Sequence, residues 1–171
     1  KLFLFLNKNL NHIVNLKKKF IEKAIIESCK IKKIIVEKDE KENNLRKSLN
    51  LGHTFGHSYE ATLNYSKKLN HGEAVLYGIL SATKLSRKIK SLRNEDYKFI
   101  VSHLSKLKIK SLKKYFNYRD LEKIINFMRA DKKNTSTKIN FITLRKIGVV
   151  NINTQLKISE VKKFITSELL K

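Results

Sequence analysis

Apolar residues recur at steps of three and four between Leu10 and Val36, and this spacing narrows the possible folds more than any other feature of the chain. The residues that follow it are Ile13, Val14, Leu16, Phe20, Ile21, Ala24, Ile25, Cys29 and Ile34. The pattern predicts one long amphipathic helix with a lysine-bearing polar face. Cys29 is the single cysteine, so it cannot form an internal disulfide, and we expect it to be a small buried hydrophobe.

Similar periodicity predicts more helices, which makes the expected fold class mainly α. The predicted segments are a helix that contains Gly52 and Gly56 and runs through Ala61, followed by 71–89, 95–107, 119–130 and 159–170, the last with Ser159 as its N-cap. Alternating side chains from Ile139 onward, followed by Gly148, predict a short β-hairpin near 138–152. No glycine-rich phosphate loop is present, so a nucleotide-binding fold is not expected. We predict a single helical domain over residues 1–171.

The net charge of +23 raises nucleic acid or an anionic membrane as partners. The lysines are spread along the whole chain and are not interleaved with aromatic residues in one patch, so we expect neither partner. No apolar run approaches the roughly 20 residues of a membrane span. The chain starts at a lysine and has one methionine, Met128, so we expect a piece of a longer protein. We expect that protein to be soluble and cytoplasmic.

Histidines and glycines alternate in the segment after residue 50. Gly52 and Gly56 fall inside a helical pattern, where glycine is unfavourable, so we expect another part of the chain to approach their backbone closely. His53 and His57 are four residues apart and would share one helix face, as metal ligands or as ordinary helix histidines. The zinc-protease pattern fails because Thr54 stands where it requires glutamate.

His71 favours the metal interpretation, because it directly precedes the next predicted helix and could fold back against the first histidine pair. A set of polar residues would then surround the metal and hold an acidic or phosphorylated ligand. This set comprises Lys32, Arg46, Asn50 and the turn Asp131-Lys132-Lys133. Each of these basic residues taken alone is better explained as solvated surface, so only their joint placement supports the ligand-binding interpretation.

One run of residues resembles the signature of a known enzyme family. It extends from Leu49 to His57 and continues at Glu60-Ala61 and at His71 to Val75. The similarity includes the segments 28–32, 39–42, 45–46, 131–133 and 139–144. In these segments the chain is similar to the 3-dehydroquinate synthases. The resemblance implies the helical carboxy-terminal domain of a two-domain enzyme, without the amino-terminal domain that binds NAD.

The resemblance also implies roles for individual residues. His53 and His71 match two ligands of a divalent metal, zinc or cobalt, whose third ligand is a glutamate that would lie ahead of Lys1. His57 matches an active-site residue beside the metal and is the expected proton carrier. The residues that match the substrate pocket are Lys32, Glu42, Arg46, Asn50 and one or both of Lys132 and Lys133. Thr135-Ser136-Thr137 replaces a common glycine, which changes only the expected shape of that loop.

The implied activity is a phosphate-eliminating carbon–oxygen lyase reaction of the shikimate pathway. It converts 3-deoxy-D-arabino-heptulosonate 7-phosphate to 3-dehydroquinate and phosphate, with NAD as a catalyst that is not consumed. The family also implies a homodimer. Three alternatives remain open: a related sugar phosphate cyclase that makes a cyclitol, a catalytically inactive helical fragment, and a basic nucleic-acid binder.

Overall fold

The computed structural model describes residues 1–130 and 137–170. The chain divides into two compact units, Lys1–Leu49 and Asn50–Lys171. Each unit is therefore described by itself, and the single domain predicted over residues 1–171 stays a prediction. No helix in the described ranges is long and apolar enough to cross a membrane.

The first unit contains three helices, α1 (Leu2–Lys8), α2 (Leu10–Val14) and α3 (Lys18–Lys38). The prediction of one continuous helix from residue 10 to 36 is wrong, because the chain breaks between α2 and α3. Leu16 has a φ of 55°, a left-handed conformation that cannot continue a right-handed helix. Asn15 precedes it and donates a side-chain hydrogen bond to the carbonyl of Asn11, which ends α2 locally.

Helix α3 has an apolar stripe but no buried residue. Ile25, Ile26, Ile31 and Ile34 are between 43% and 56% exposed. Cys29 is exposed as well, so its predicted burial is wrong. The periodicity correctly predicted the helix, but it cannot establish that another element covers the apolar stripe.

The second unit contains five α-helices in its described part. They are α4 (His53–Thr62), α5 (His71–Lys88), α6 (Asn94–Ser105), α7 (Leu121–Arg129) and α8 (Ile158–Leu170). Short 3-10 turns cover Leu112–Lys114 and Tyr118–Asp120, and another, Leu45–Asn50, precedes α4. Ser159 was wrongly predicted as the N-cap of α8. The helix starts one residue earlier, where the carboxylate of Glu160 accepts a hydrogen bond from the backbone N–H of Lys157.

The hairpin consists of β1 (Lys138–Lys146) and β2 (Val149–Lys157), so it extends beyond the predicted boundary at 152. Alternate residues of β1 are buried, including Ile139, Phe141 and Thr143. The register shifts between Leu144 and Lys146, so Leu144 is also buried while Arg145 is exposed. The hairpin therefore contributes one face to the core of the second unit.

Aromatic rings occupy the middle of that core. Phe55 of α4 stacks on Phe141 of β1 at a centroid distance of 4.9 Å and meets Phe164 of α8 edge-on at 5.8 Å. The buried hydroxyl of Tyr59 shares a 2.9 Å hydrogen bond with Ser81 of α5. Helix α4 thus packs against the hairpin and α8 and is linked to α5 by a buried hydrogen bond, which fixes its position in the unit.

Three glycines allow α4 and α5 to meet backbone to backbone. A Cβ on Gly52 would lie 2.5 Å from the backbone nitrogen of Ile79, and one on Gly78 would overlap the carbonyl of Gly52. A Cβ on Gly56 would lie 3.0 Å from the carbonyl oxygen of Ala74. The close approach expected at Gly52 and Gly56 is therefore present, and the approaching element is α5.

Candidate metal centre

The three histidines lie where α4 and α5 begin. His53 is the first residue of α4, His57 is about one turn further on, and His71 is the first residue of α5. The glycine contacts set Gly52 against Gly78 and Gly56 against Ala74, so the two helices run antiparallel and the start of α5 lies along the histidine-bearing face of α4. The arrangement predicted for His71, folded back against the first pair, is observed.

The imidazole rings converge on a small volume. The possible ligand atoms of His53, His57 and His71 all lie within 4.8 Å of one another. The ring centroids are 5.2 Å apart for His53 and His57, 5.9 Å for His57 and His71, and 6.3 Å for His53 and His71. This is close enough for one divalent ion to lie among the three rings. No other metal-ligating cluster of this kind is found in residues 1–130 and 137–170.

His53 is the most enclosed of the three. Burial lowers the pKa of its imidazole, and the nearby backbone groups of Leu51 and Asn50 raise it only in part. The adjacent His57 and His71 lower it further. Its Nδ1 atom is buried and has no hydrogen-bond partner of good geometry among the described residues. A neutral ring with an unpaired nitrogen is suited to binding a metal ion, so the donor set fits the metal that the family resemblance implies.

His71 is held by a carboxylate from the neighbouring helix. Its Nδ1 atom lies 3.0 Å from Oε2 of Glu60, whose side chain is 11% exposed. A carboxylate oxygen accepts hydrogen bonds, so this contact favours the tautomer of His71 that carries its proton on Nδ1. The Nε2 lone pair of His71 is then available for a ligand.

The start of α5 is stabilised by a capping box at Asn70. The side-chain oxygen of Asn70 accepts a 3.0 Å hydrogen bond from the backbone N–H of Glu73. The Glu73 carboxylate in turn accepts a 3.1 Å hydrogen bond from the backbone N–H of Asn70. Since His71 is the next residue, the capping box fixes the backbone from which its ring projects.

We expect Asn70→Ala to lower the free energy of unfolding by about 1 kcal/mol, the usual cost of removing an N-cap side chain. Urea denaturation followed by circular dichroism measures this change. Lys17→Ala is the matched control, because Lys17 precedes α3 without a capping hydrogen bond. Equal unfolding free energies for the two variants would contradict the role of the capping box.

The other predicted site residues are divided between the two units, and two of them lie outside the described residues. Lys32 lies on the exposed surface of α3, Glu42 is in the following loop with a φ of 55°, and Arg46 lies in the 3-10 turn, all within the first unit. Asn50 ends that turn and belongs to the second unit. Lys132 and Lys133 lie outside the described residues. A substrate pocket shared by these residues and the histidines stays a prediction.

Asp39 organises the loop that carries Arg46. Its carboxylate accepts hydrogen bonds from the backbone N–H groups of Asn43, Asn44 and Arg46, at 2.8 to 2.9 Å. These bonds, first the one from Arg46, hold the pKa of Asp39 below its usual value. The Arg46 guanidinium donates to the carbonyl of Glu40. This role of Asp39 was not predicted from the sequence.

A cavity of about 410 Å³ opens beside His57. Its lining includes Thr54, Tyr65 and Phe127 and extends to Ala130, the residue directly before the predicted basic turn. His57 therefore lines a space in which a small ligand could lie.

The partnership of Glu60 with His71 was missed in the sequence. A signal was available, because Glu60 follows His57 by three positions and His53 by seven. Residues at these spacings share one face of a helix. The spacing alone could not show that His71, on a different helix, would meet this face.

A family model described as 3-dehydroquinate synthase C-terminal matches residues 1–134. The chain belongs to the 3-dehydroquinate synthase family. The match includes His53, His57, His71 and Glu60. It also includes the described residues Lys32, Glu42, Arg46 and Asn50 of the predicted substrate pocket.

Curated relatives in the 3-dehydroquinate synthase family include the enzyme of that name from Pelagibacter ubique, 46% identical over 172 residues. That alignment covers 100% of this chain and 47% of the relative. The 3-dehydroquinate synthase of Thermoanaerobacter pseudethanolicus is 36% identical over 166 residues, which cover 96% of this chain and 45% of the relative. The chain thus spans about half the length of the curated relatives it matches.

A solved structure of 2-deoxy-scyllo-inosose synthase, in complex with carbaglucose-6-phosphate, NAD⁺ and Co²⁺, has a similar fold. The TM-score is 0.58 at 23% sequence identity, and the match covers 75% of this chain and 35% of that one. This likeness confirms the predicted fold class, a helical carboxy-terminal domain of the 3-dehydroquinate synthase type with a β-hairpin.

Proposed function

We propose that this chain is the metal- and substrate-binding half of a 3-dehydroquinate synthase. The complete enzyme would convert 3-deoxy-D-arabino-heptulosonate 7-phosphate to 3-dehydroquinate and phosphate, as a carbon–oxygen lyase of the shikimate pathway. Membership of the family supports the reaction class. The convergence of His53, His57 and His71 from two helices is the single observation that carries the proposal for this chain.

In this proposal His53 and His71 hold a divalent metal, zinc or cobalt, through neutral imidazole nitrogens. When bound, such an ion stabilises negative charge on a substrate oxygen as a Lewis acid. Burial lowers the pKa of His53, which keeps its ring neutral at pH values where a free histidine is partly charged. Glu60 keeps the proton of His71 on Nδ1, away from the nitrogen that would face the ion.

His57 is the proton carrier in this proposal. Its side chain is exposed and lines the 410 Å³ cavity, so a substrate in that cavity would lie within its reach. An imidazole titrates near neutral pH and can both remove a proton from a substrate and return one. His57 adjoins His53 in the cluster, so proton transfer would take place close to the metal.

The substrate carries a carboxylate and a phosphate, and the basic residues are proposed to bind them. The planar guanidinium of Arg46 can donate hydrogen bonds to two oxygens at once. Lys32 and one of Lys132 and Lys133 would act as point charges. Asn50 would add a hydrogen bond, and Glu42 would organise the pocket. Holding both charged ends fixes which hydroxyl of the sugar meets the metal.

NAD would be bound mainly by a separate amino-terminal half. We further propose a cytoplasmic, homodimeric enzyme without nucleic-acid or membrane partners, in keeping with the family resemblance and with the dispersed lysines. A cyclitol-forming cyclase is the second candidate, because the 2-deoxy-scyllo-inosose synthase structure shares the fold. The curated relatives at 46% and 36% identity favour dehydroquinate synthesis.

The test joins this chain to the amino-terminal half of the Pelagibacter ubique relative. With NAD and Co²⁺ present, we expect phosphate release from 3-deoxy-D-arabino-heptulosonate 7-phosphate and none from glucose 6-phosphate, whose carba-analogue occupies the cyclase structure. The chain without that half is expected to release no phosphate. Release from glucose 6-phosphate alone would identify the cyclase as the correct function.

A further inference from the structure

Glu60 occupies an unusual position for a carboxylate. The residue is only 8% exposed, yet it lies on α4 among buried neighbours that are mostly apolar or hydroxyl-bearing. Burying a carboxylate is unfavourable unless it gains a partner. The partner of Glu60 is the His71 ring at 3.0 Å, which is itself well exposed. The carboxylate is therefore the fixed member of the pair and the imidazole is the member it positions.

The contact selects one tautomer of the imidazole. In a neutral histidine one ring nitrogen is a donor and the other an acceptor, and a carboxylate at Nδ1 requires the donor there. The lone pair then lies on Nε2, and the hydrogen bond restrains rotation of the ring about χ2. Metal-binding histidines are commonly oriented by a carboxylate in this way, and loss of such a partner weakens metal binding about 10- to 100-fold.

The same helix supplies the carboxylate and the other two histidines. His53, His57 and Glu60 are spaced so that all three side chains lie on one face of α4, and this face meets the start of α5. The Glu60 contact thus fixes the orientation of the His71 ring, on α5, relative to α4, the helix that carries His53. Since the α4 backbone contacts α5 directly at the glycines, neither end of this link is on a flexible loop.

We propose that Glu60 is a positioning residue that fixes His71 as its Nδ1–H tautomer and aims Nε2 at the metal. The inference rests on the proposed function, since it assumes that His71 binds the ion. It assigns Glu60 no contact with the substrate or the metal.

The first measurement uses the metal-free chain. Long-range proton–nitrogen NMR correlations report which imidazole nitrogen carries the proton. We expect His71 to be in the Nδ1–H form in the wild-type chain and to shift toward the Nε2–H form in Glu60→Ala. Glu60→Gln should retain much of the Nδ1–H form, because the amide oxygen of glutamine can still accept the hydrogen bond. The same tautomer mixture in wild type and Glu60→Ala would overturn the inference.

The second measurement is Co²⁺ and Zn²⁺ affinity by calorimetry, with the visible spectrum of bound Co²⁺ reporting its ligand geometry. We expect Glu60→Ala to weaken binding by up to about 100-fold and Glu60→Gln by about 10-fold. Glu168→Gln is the matched control. It removes a carboxylate of similar burial, 13% exposed, that pairs with Lys84. We expect its affinity to equal that of the wild type.

The outcomes separate the inference from the proposed function. Wild-type affinity and an unchanged Co²⁺ spectrum in both Glu60 variants would overturn the positioning role alone. A wild-type chain that binds no metal, both alone and when joined to the amino-terminal half of the relative, would overturn the metal site of the proposed function and the role of Glu60 together, even with His71 in the Nδ1–H form. Equal weakening by Glu168→Gln would show a general stability effect and would also overturn the inference.

Discussion

Replacing either His53 or His71 with alanine is expected to weaken binding of Zn²⁺ and Co²⁺ more than about 100-fold, beyond what loss of an outer-shell partner costs. Each substitution removes a nitrogen from a cluster whose ligand atoms lie within 4.8 Å of one another, and no carboxylate or thiol in the described residues completes a second cluster. Isothermal titration calorimetry on the chain, with each variant checked for its helical circular dichroism, measures the effect.

His57→Ala is the discriminating variant, because the geometry alone groups His57 with the other two histidines. We expect it to retain most of the metal affinity. When the variant is joined to the amino-terminal half of the relative, we expect turnover to fall about 10²- to 10⁴-fold, the usual contribution of a general acid–base residue. Loss of metal binding in His57→Ala, with binding retained in His71→Ala, would show that the pair on α4 is the ligand pair.

Gly78→Ala is expected to lower the free energy of unfolding by at least about 3 kcal/mol, at the upper end of overpacking effects. The added methyl group would overlap the carbonyl of Gly52 and lie 2.8 Å from the backbone nitrogen of Gly56. Backbone atoms cannot rotate away as a side chain can, so α4 and α5 must separate. Since the histidines start these two helices, we expect metal affinity to fall along with stability.

Gly72→Ala provides the control on the same helix. A Cβ at Gly72 would meet only the side-chain oxygen of Asn70, at 3.7 Å, an ordinary contact. We expect this variant to be as stable as the wild type or more stable by about 0.5–1 kcal/mol, because alanine favours helix over glycine. Urea denaturation of both variants checks the comparison. Similar unfolding free energies for Gly78→Ala and Gly72→Ala would contradict the backbone contact.

The sequence predicted much of this helix pair. Gly52 and Gly56 indicated a close approach to their backbone, and His71 indicated that a second helix folds back against the first histidine pair. The spacing could not identify Gly78 as the opposing residue. Glycine in a helix has several physical explanations, and only the packed structure shows which backbone lies against it.

The first unit was predicted less well, for a different reason. Periodicity reports which side of a helix is apolar, and it did so for α3, but Cys29 and the isoleucines beside it are exposed. The left-handed Leu16 interrupts a run that contains no glycine or proline, so the break between α2 and α3 left no composition signal.

The convergence of the three histidines was predicted from the sequence, but the residue that supports His71 was missed. His53, His57 and His71 were recognisable as residue types that bind metals. Glu60 was not, because a glutamate on a helix in a lysine-rich chain is ordinarily a solvated surface group. Its burial and its partner both arise from tertiary packing.

The histidine cluster lies within one helix hairpin, α4 and α5 with the loop between them, so its contacts span no more than 18 residues of the chain. Closing a short loop costs little entropy, and local contacts form early and quickly during folding. The cluster can therefore assemble before β1 and α8, much later in the chain, dock against α4. Metal binding would then stabilise this early hairpin, and the ion would contribute to the folding of the chain as well as to its chemistry.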